Sequence, residues 1–357
     1  MRVKLFSRIL LICLLVVVTM VPINYIVDPA LMLRDGEYER TVAEGILAKK
    51  YVGVNDNYNE RRYQRMFIRG LYEKPDAILV GSSRSMLIPC DALGEGNILC
   101  GGVTGAVMED IIGIIAMYAG RNMLPDKVFI CLDPWLFNDN HWDTRYRELI
   151  PEYNSIAEQL RLRPIPETIQ TQSWYMKIEQ ALSPAYFQES VRNIHHRPQK
   201  PIVTDEYNVD FFSRLPDGTI AYPSDYTSRT EDEVADDVLA VINSGYIYHS
   251  TGYMLLSPVI AAQFASVINY FESVGVTAVF ILPPLHPMLY AYISDNPDYY
   301  VFAEAEEFIF TFAEQRGITV VGSFDPHAIG ASGADFYDAY HPTREFMARL
   351  CKDFFAD

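Results

Sequence analysis

Cysteine is scarce, with five residues in 357, and none of them falls with the seven histidines at a zinc-site spacing. No metal is therefore expected. Cys13 lies in the apolar N-terminus, with Cys90, Cys100, Cys131 and Cys351 beyond it. Cys90 and Cys100 could bridge in an extracytoplasmic setting, but small buried thiols are the favoured reading, because cysteine is often a core residue. Positive charge is short as well: 29 Lys and Arg stand against 46 Asp and Glu, a net charge of −17. That balance argues against a nucleic-acid partner, which needs a basic footprint, and disfavours a polyanion-binding surface. Internal repeats and low-complexity tracts are lacking too. Half the residues are hydrophobic, so a substantial core is available, in one large domain or two smaller ones.

Long uncharged runs are rare, and the conspicuous one is N-terminal. Arg2, Lys4 and Arg8 precede an uncharged stretch from Ile9 to Val27 that Asp28-Pro29 closes. Its length is near the ~20 residues of a membrane helix. No clear small-x-small cleavage site follows, so an uncleaved anchor over 1–28 is expected. The positive flank sets the N-terminus in the cytoplasm and everything after Asp28 outside. Residues 29–75 carry two helical patterns within 37–72 and read as juxtamembrane helices. Their arginines (Arg61, Arg62, Arg65) read as a solvated face or a lipid-headgroup contact.

Ala77-Ile78-Leu79-Val80 is a short apolar run without the alternation of a half-wetted strand. It suits a buried central strand of a parallel sheet. Gly81 ends it, and Ser82-Ser83-Arg84 are expected to open a helix. A serine there stands at the carboxyl end of a strand and at a helix N-terminus, where ligands and negative charge are favoured. An ordinary N-cap serine is the alternative. Near the other end of the chain, Asp338-x-x-His341 offers a carboxylate able to orient an imidazole.

A serine after the first central strand, with a late Asp-x-x-His, resembles the SGNH (GDSL-like) hydrolase superfamily. The closer likeness is to its membrane-anchored members acting on cell-envelope polymers, the DltD-like and AlgJ-like proteins. The resemblance covers roughly residues 76–135 and 250–345. It implies Ser83 rather than Ser82 as nucleophile, with Asp338 and His341 completing a triad. It implies the backbone N–H groups of Ser83 and Gly102 as oxyanion donors. The family's Gly-x-Asn-Asp after the third strand is replaced here by Asp133-Pro134-Trp135. Asp133 occupies the nearest position, and a carboxylate accepts but does not donate. Asn138 or Asn140 is the expected substitute.

The remaining chain reads as further βα units: strands at 97–100, 127–132, 277–282 and 318–321, with helices at 106–119, 258–274 and 298–315. Residues 140–250 break that rhythm and read as a cap inserted over the carboxyl ends of the strands. Leu160 to Gln172 and Tyr175 to Leu182 read as helices within it, and Leu215 to Tyr222 as a hairpin with Asp217-Gly218 at its tip. His195-His196-Arg197-Pro198 reads as a loop whose paired histidines diverge. Thr230 and Glu233 form a capping box for the helix from Thr230 to Val241. Arg84 and His286 are the substrate-binding candidates, with a structural histidine as the alternative for His286.

The expected fold is thus α/β. It is a three-layer sandwich around a five-stranded parallel sheet, flavodoxin-like in strand order (2-1-3-4-5 by resemblance), spanning 76–357 with the cap inserted. The expected activity is that of an extracytoplasmic serine esterase or O-acyltransferase without a cofactor. Its partners would be an acylated or acyl-accepting envelope polymer, the membrane and a membrane-bound acyltransferase. A non-catalytic polysaccharide-binding or complex-assembly protein on the same scaffold is the alternative.

Overall fold

The computed structural model describes residues 2–29, 33, 36–55, 58–166, 173–194 and 200–355. The apolar N-terminal stretch forms helix α1 (Arg2–Val27). Among the described residues no helix is long and apolar enough to cross a membrane, and several α1 side chains lie outside the description. Between α2 (Glu37–Leu47) and α3 (Glu60–Gly70) the chain makes a strand, β1 (Tyr51–Val54), which the two helical patterns do not suggest. The arginines of α3 depart from the solvated face expected of them. Arg61 is 3% exposed and bidentate to Asp110, at 2.9 and 2.7 Å. Arg65 pairs with Glu148 and Glu152, and Arg62 with Glu148. The reason is packing: α3 lies against the element bearing Asp110 and the turn bearing Glu148, so its cationic face meets carboxylates.

Strand β2 (Ala77–Val80) is wholly buried. Gly81 leaves it at φ +151°, where a Cβ would stand 2.7 Å from the Cys131 carbonyl oxygen. A side chain here would collide with the neighbouring strand, so the sharp exit requires glycine. The helix expected from Ser82 does not form. A single tight turn, Ser85–Leu87, takes its place, and Ile88 returns to extended backbone at φ −85°, ψ 112°. Pro89 supplies the cause, since the residue before proline is driven out of the helical region. Strand β3 (Ile98–Cys100), helix α4 (Met108–Ala119) and strand β4 (Lys127–Cys131) come next.

The segment expected as one cap is distributed over the molecule. Helix α5 (Ile150–Ala157) packs on α4. The helix expected from Leu160 is absent as far as Pro166, where Pro164 and Pro166 withhold backbone donors. Its remainder, to Gln172, and the His195–Pro198 loop lie outside the described residues. Helices α6 (Ser173–Ala181) and α7 (Pro184–Arg192) pack on α1. There Asn24 Nδ2 donates to the Ala181 carbonyl at 3.0 Å, and the Tyr186 hydroxyl donates to Asp28 at 2.6 Å. Strands β5 (Ile202–Thr204), β6 (Phe212–Arg214) and β7 (Ile220–Ala221) join β1 in a separate antiparallel sheet, order β5-β1-β6-β7. Asp217-Gly218 stands at the β6–β7 tip, and the Asp217 carbonyl accepts the N–H of edge residue Cys100 at 2.8 Å. A short helix α8 (Ser224–Thr227) leads to α9 (Glu231–Ser244), which carries the Thr230–Glu233 capping box. The stretches 212–229 and 246–252 reach the carboxyl ends of the parallel strands, where Arg229 bonds the Tyr337 carbonyl and Tyr248 the Tyr340 hydroxyl.

Helix α10 (Pro258–Val274) and strand β8 (Thr277–Leu282) resume the alternation. They are succeeded by α11 (Pro287–Asp295), α12 (Val301–Arg316), strand β9 (Thr319–Gly322) and α13 (Arg344–Phe355). The result is a mixed α/β fold around a five-stranded sheet, parallel throughout and flanked by helices, in the order β3-β2-β4-β8-β9. Counted within the sheet this is 2-1-3-4-5. β2 is therefore internal, between β3 and β4, and the residues after Val80 emerge mid-sheet at the edge where such sheets hold ligands.

Candidate active site

Ser83 opens the turn after β2. Its Oγ lies 2.9 Å from His341 Nε2, and His341 Nδ1 lies 2.8 Å from Asp338 Oδ2. The three side chains meet although 258 residues separate Ser83 from His341. The loop bearing Asp338 and His341 is held at its base by a bridge between Phe336 and Pro342 and by the Tyr337 N–H on the His341 carbonyl, 2.9 Å. A bond from the His286 N–H to the Ala339 carbonyl, 3.2 Å, ties it to the end of β8.

Burial alone pushes the Asp338 carboxyl up. The charge and hydrogen bond of His341, with the N–H groups of Tyr340 and His341, outweigh this and hold it below its ordinary value. An ionised carboxylate only accepts, so Nδ1 of His341 donates. In the neutral ring Nε2 then carries the lone pair, facing the Ser83 hydroxyl. The arrangement can take a proton from Oγ as Oγ attacks an electrophile.

Ser82 turns elsewhere: its Oγ accepts the Arg84 N–H at 3.2 Å. The Ser83 N–H has no acceptor among the described protein groups. The Gly102 N–H meets only the Cys100 sulfur, at 3.4 Å, a weak acceptor. A Cβ on Gly102 would sit 2.7 Å from Met86 Cγ, so this glycine permits the close approach of its backbone to the Ser83 turn. Cys90 and Cys100 are free and buried. Burial pushes both thiols up, that of Cys100 to about 11.

Other expected site residues face inward. Arg84 is 1% exposed. Its guanidinium bonds Asp133 at 3.1 Å and the Pro283 and Pro284 carbonyls, and sits 5.6 Å from the Trp135 ring centroid. It is a strut joining the ends of β2, β4 and β8, with no reach toward a substrate. Asp133 is its counter-ion. The side-chain amide of Asn138 donates to the His249 carbonyl at 2.7 Å, and that of Asn140 to the Gly252 carbonyl at 3.0 Å. Both expected substitute donors are thus engaged by carbonyls of the 249–252 stretch. His286 is 2% exposed and caps α11, its Nδ1 accepting the Met288 N–H at 3.2 Å. Burial lowers its basicity, and the charge of Asp338 opposes that.

Residues not singled out one by one in the sequence also converge here. Tyr222, between β7 and α8, lies 6.2 Å from the His341 ring and 5.0 Å from Tyr337. Burial and the nearby Asp338 charge push its phenol well up. On the other flank Trp135, Tyr248 and Tyr340 pack together, and the Tyr340 hydroxyl accepts the Tyr248 N–H at 3.0 Å. Trp135 had a signal available, since it lies just past the end of β4. Tyr222 stood out only as one of the many aromatics of 140–250, which read as lining for a sugar cleft or as core. Among the described residues no cluster of His, Cys, Asp and Glu is arranged to hold a metal. No protein-family model matches the chain, and no curated protein matches it.

Proposed function

We propose that this protein is a serine acyl-ester enzyme of the SGNH type, an esterase or O-acyltransferase acting on a cell-envelope or exported polysaccharide. One observation carries the reading: the Ser83–His341–Asp338 relay, at 2.9 and 2.8 Å, on the carboxyl edge of a parallel sheet. Ser83 attacks the acyl carbon, His341 takes the hydroxyl proton, and Asp338 holds the ring in the receiving tautomer. Backbone N–H groups of Ser83 and Gly102 face the developing oxyanion. Water as acceptor gives hydrolysis, and a polymer hydroxyl gives transfer. The 2-1-3-4-5 strand order supports the SGNH-like, three-layer arrangement.

α1 is read as a membrane anchor holding the domain outside the cell. Leu11, Leu14, Leu15, Val16 and Val18 each leave more than half their surface exposed, an apolar belt that lipid would cover. Protease added to intact cells should degrade the domain, and protection there would refute this topology. An envelope polymer, and a membrane-bound acyltransferase supplying acyl groups, are the partners this reading implies.

The loop after β4 favours the alternative of a non-catalytic polysaccharide-binding or complex-assembly protein, because Asp133, Asn138 and Asn140 are all tied to other protein groups. A fluorophosphonate probe on the full-length protein in detergent separates the two. Covalent labelling that disappears in Ser83→Ala supports the enzyme; an unlabelled, folded wild type supports the binder.

A further inference from the structure

Exposed apolar side chains gather on the two helices that dock against α1. Ile178 on α6 and Leu182 just past its end stand four residues apart. On α7, Phe187 and Val191 begin a row that Ile194 continues beyond the helix end. Phe187 is half-buried, and the other four are 44–48% exposed. Residues four and seven apart share one helix face, so both helices carry an apolar stripe. Glu189, two residues before Val191, stands exposed on the opposite side of α7. The turn between the helices fixes their level against α1. Asn24 Nδ2 donates to the Ala181 carbonyl at 3.0 Å, and the Tyr186 hydroxyl to Asp28 at 2.6 Å. Leu182 is therefore level with the last turn of α1.

The length of α1 decides how deep that level lies. Its described leucines and valines are exposed as far as Val18, whereas Met20, Asn24 and Val27 are buried along one face, and α6 and α7 pack on this helix. The uncharged stretch from Ile9 to Val27 barely reaches the ~20 residues that cross a bilayer. None can be spared, so the docked turns from Met20 onward enter the membrane too and bring α6 and α7 with them. We propose that α6 and α7 form an amphipathic hairpin set into the outer membrane–water interface, with Ile178, Leu182, Phe187, Val191 and Ile194 against lipid acyl chains. This rests on the reading of α1 as a membrane anchor. Tyr25 and Ile26, both exposed beside the docked face, carry the apolar belt of α1 to the same level. Interfacial helices of this kind bury their apolar face roughly 5–10 Å into the headgroup boundary. Two attachments in place of one restrict how the domain tilts over the bilayer.

The test places nitroxide spin labels on the full-length protein carrying Cys13→Ala, in vesicles of phosphatidylcholine and phosphatidylglycerol. The other four cysteines are free and buried, which shields them from the label. Labels at Leu182→Cys and Val191→Cys should collide several-fold more often with oxygen, which concentrates among acyl chains, than with a water-soluble nickel chelate. A label at Glu189→Cys should show the reverse. A label at Val16→Cys reads the anchor separately. Oxygen dominating at 16 but nickel at 182 and 191 overturns the proposal and leaves the anchor standing. Few collisions with either reagent at 182 and 191 also overturn it, because a second copy or another protein then covers the stripe. Nickel dominating at 16 sinks the anchor reading itself, and the proposal with it. If a label at 182 or 191 lowers the melting temperature, Ile178→Cys and Ile194→Cys report on the same stripe with the same expectations.

Discussion

The proposed relay gives Ser83, His341 and Asp338 different work, and substitution should separate them. In a small acyl-ester assay, Ser83→Ala and His341→Ala should each lower kcat by about 10⁴–10⁶-fold, and Asp338→Asn by less, because the carboxylate orients but is not consumed. Ser82→Ala should stay near wild type, since its hydroxyl serves the Arg84 N–H; loss through Ser82 alone would mean that the nucleophile is misassigned. Acid sensitivity has a residue-scale origin too. His249 is 2% exposed, and burial holds it down at about 4 from 6.5, with His141 and Arg145 adding and Asp143 opposing. A depressed histidine contributes stability fully above its unfolded value and loses it as pH falls from 6.5 toward about 4. His249→Gln should flatten the fall of melting temperature across that window, and an unchanged slope would assign it elsewhere. Asp338 acts lower down: its stabilisation is present above the ordinary carboxylate value and fades as pH drops through its lowered one. The triad was readable because a serine at a strand end and Asp-x-x-His are local patterns. Arg84 was not, because Asp133 and the Pro283 and Pro284 carbonyls become its neighbours only in three dimensions.

At the scale of elements, the parallel strands announce themselves because burial on both faces leaves unbroken apolar runs such as Ala77–Val80 and Thr277–Leu282. The antiparallel sheet gives no such signal. Tyr51–Val54 is four residues with a glycine, and its partners begin at Ile202. What joins that sheet to α3 is Arg214, wholly buried. It bonds Glu60 and the Tyr58 hydroxyl, each at 2.6 Å, and the Gly218 carbonyl at 2.7 Å. Removing one partner of a buried pair leaves an uncompensated charge. Arg214→Met should therefore destabilise by about 3–5 kcal/mol, read from the urea midpoint. A midpoint within experimental scatter of wild type would show that Glu60 finds another partner.

Across the whole molecule, residues 140–250 read as one inserted cap in the sequence but are distributed over the structure. Helix α5 packs on α4, α6 and α7 on α1 and α9 on α11, and their strands complete a sheet begun by β1. Assembly of the site inherits this non-local wiring. Loop closure costs grow with the chain enclosed, and non-local contacts form slowly. On dilution from denaturant, far-ultraviolet circular dichroism should recover before esterase turnover, and simultaneous recovery would argue that the relay forms with the core. The hydrogen bond from Ser83 to His341 spans 258 residues, so a nascent chain that has exposed its serine still lacks its base. Such a chain, emerging from the ribosome or threading across a bilayer, carries an inert hydroxyl. Only when the last loop and α13 have settled into position is the hydrogen-bonded relay of Ser83, His341 and Asp338 complete.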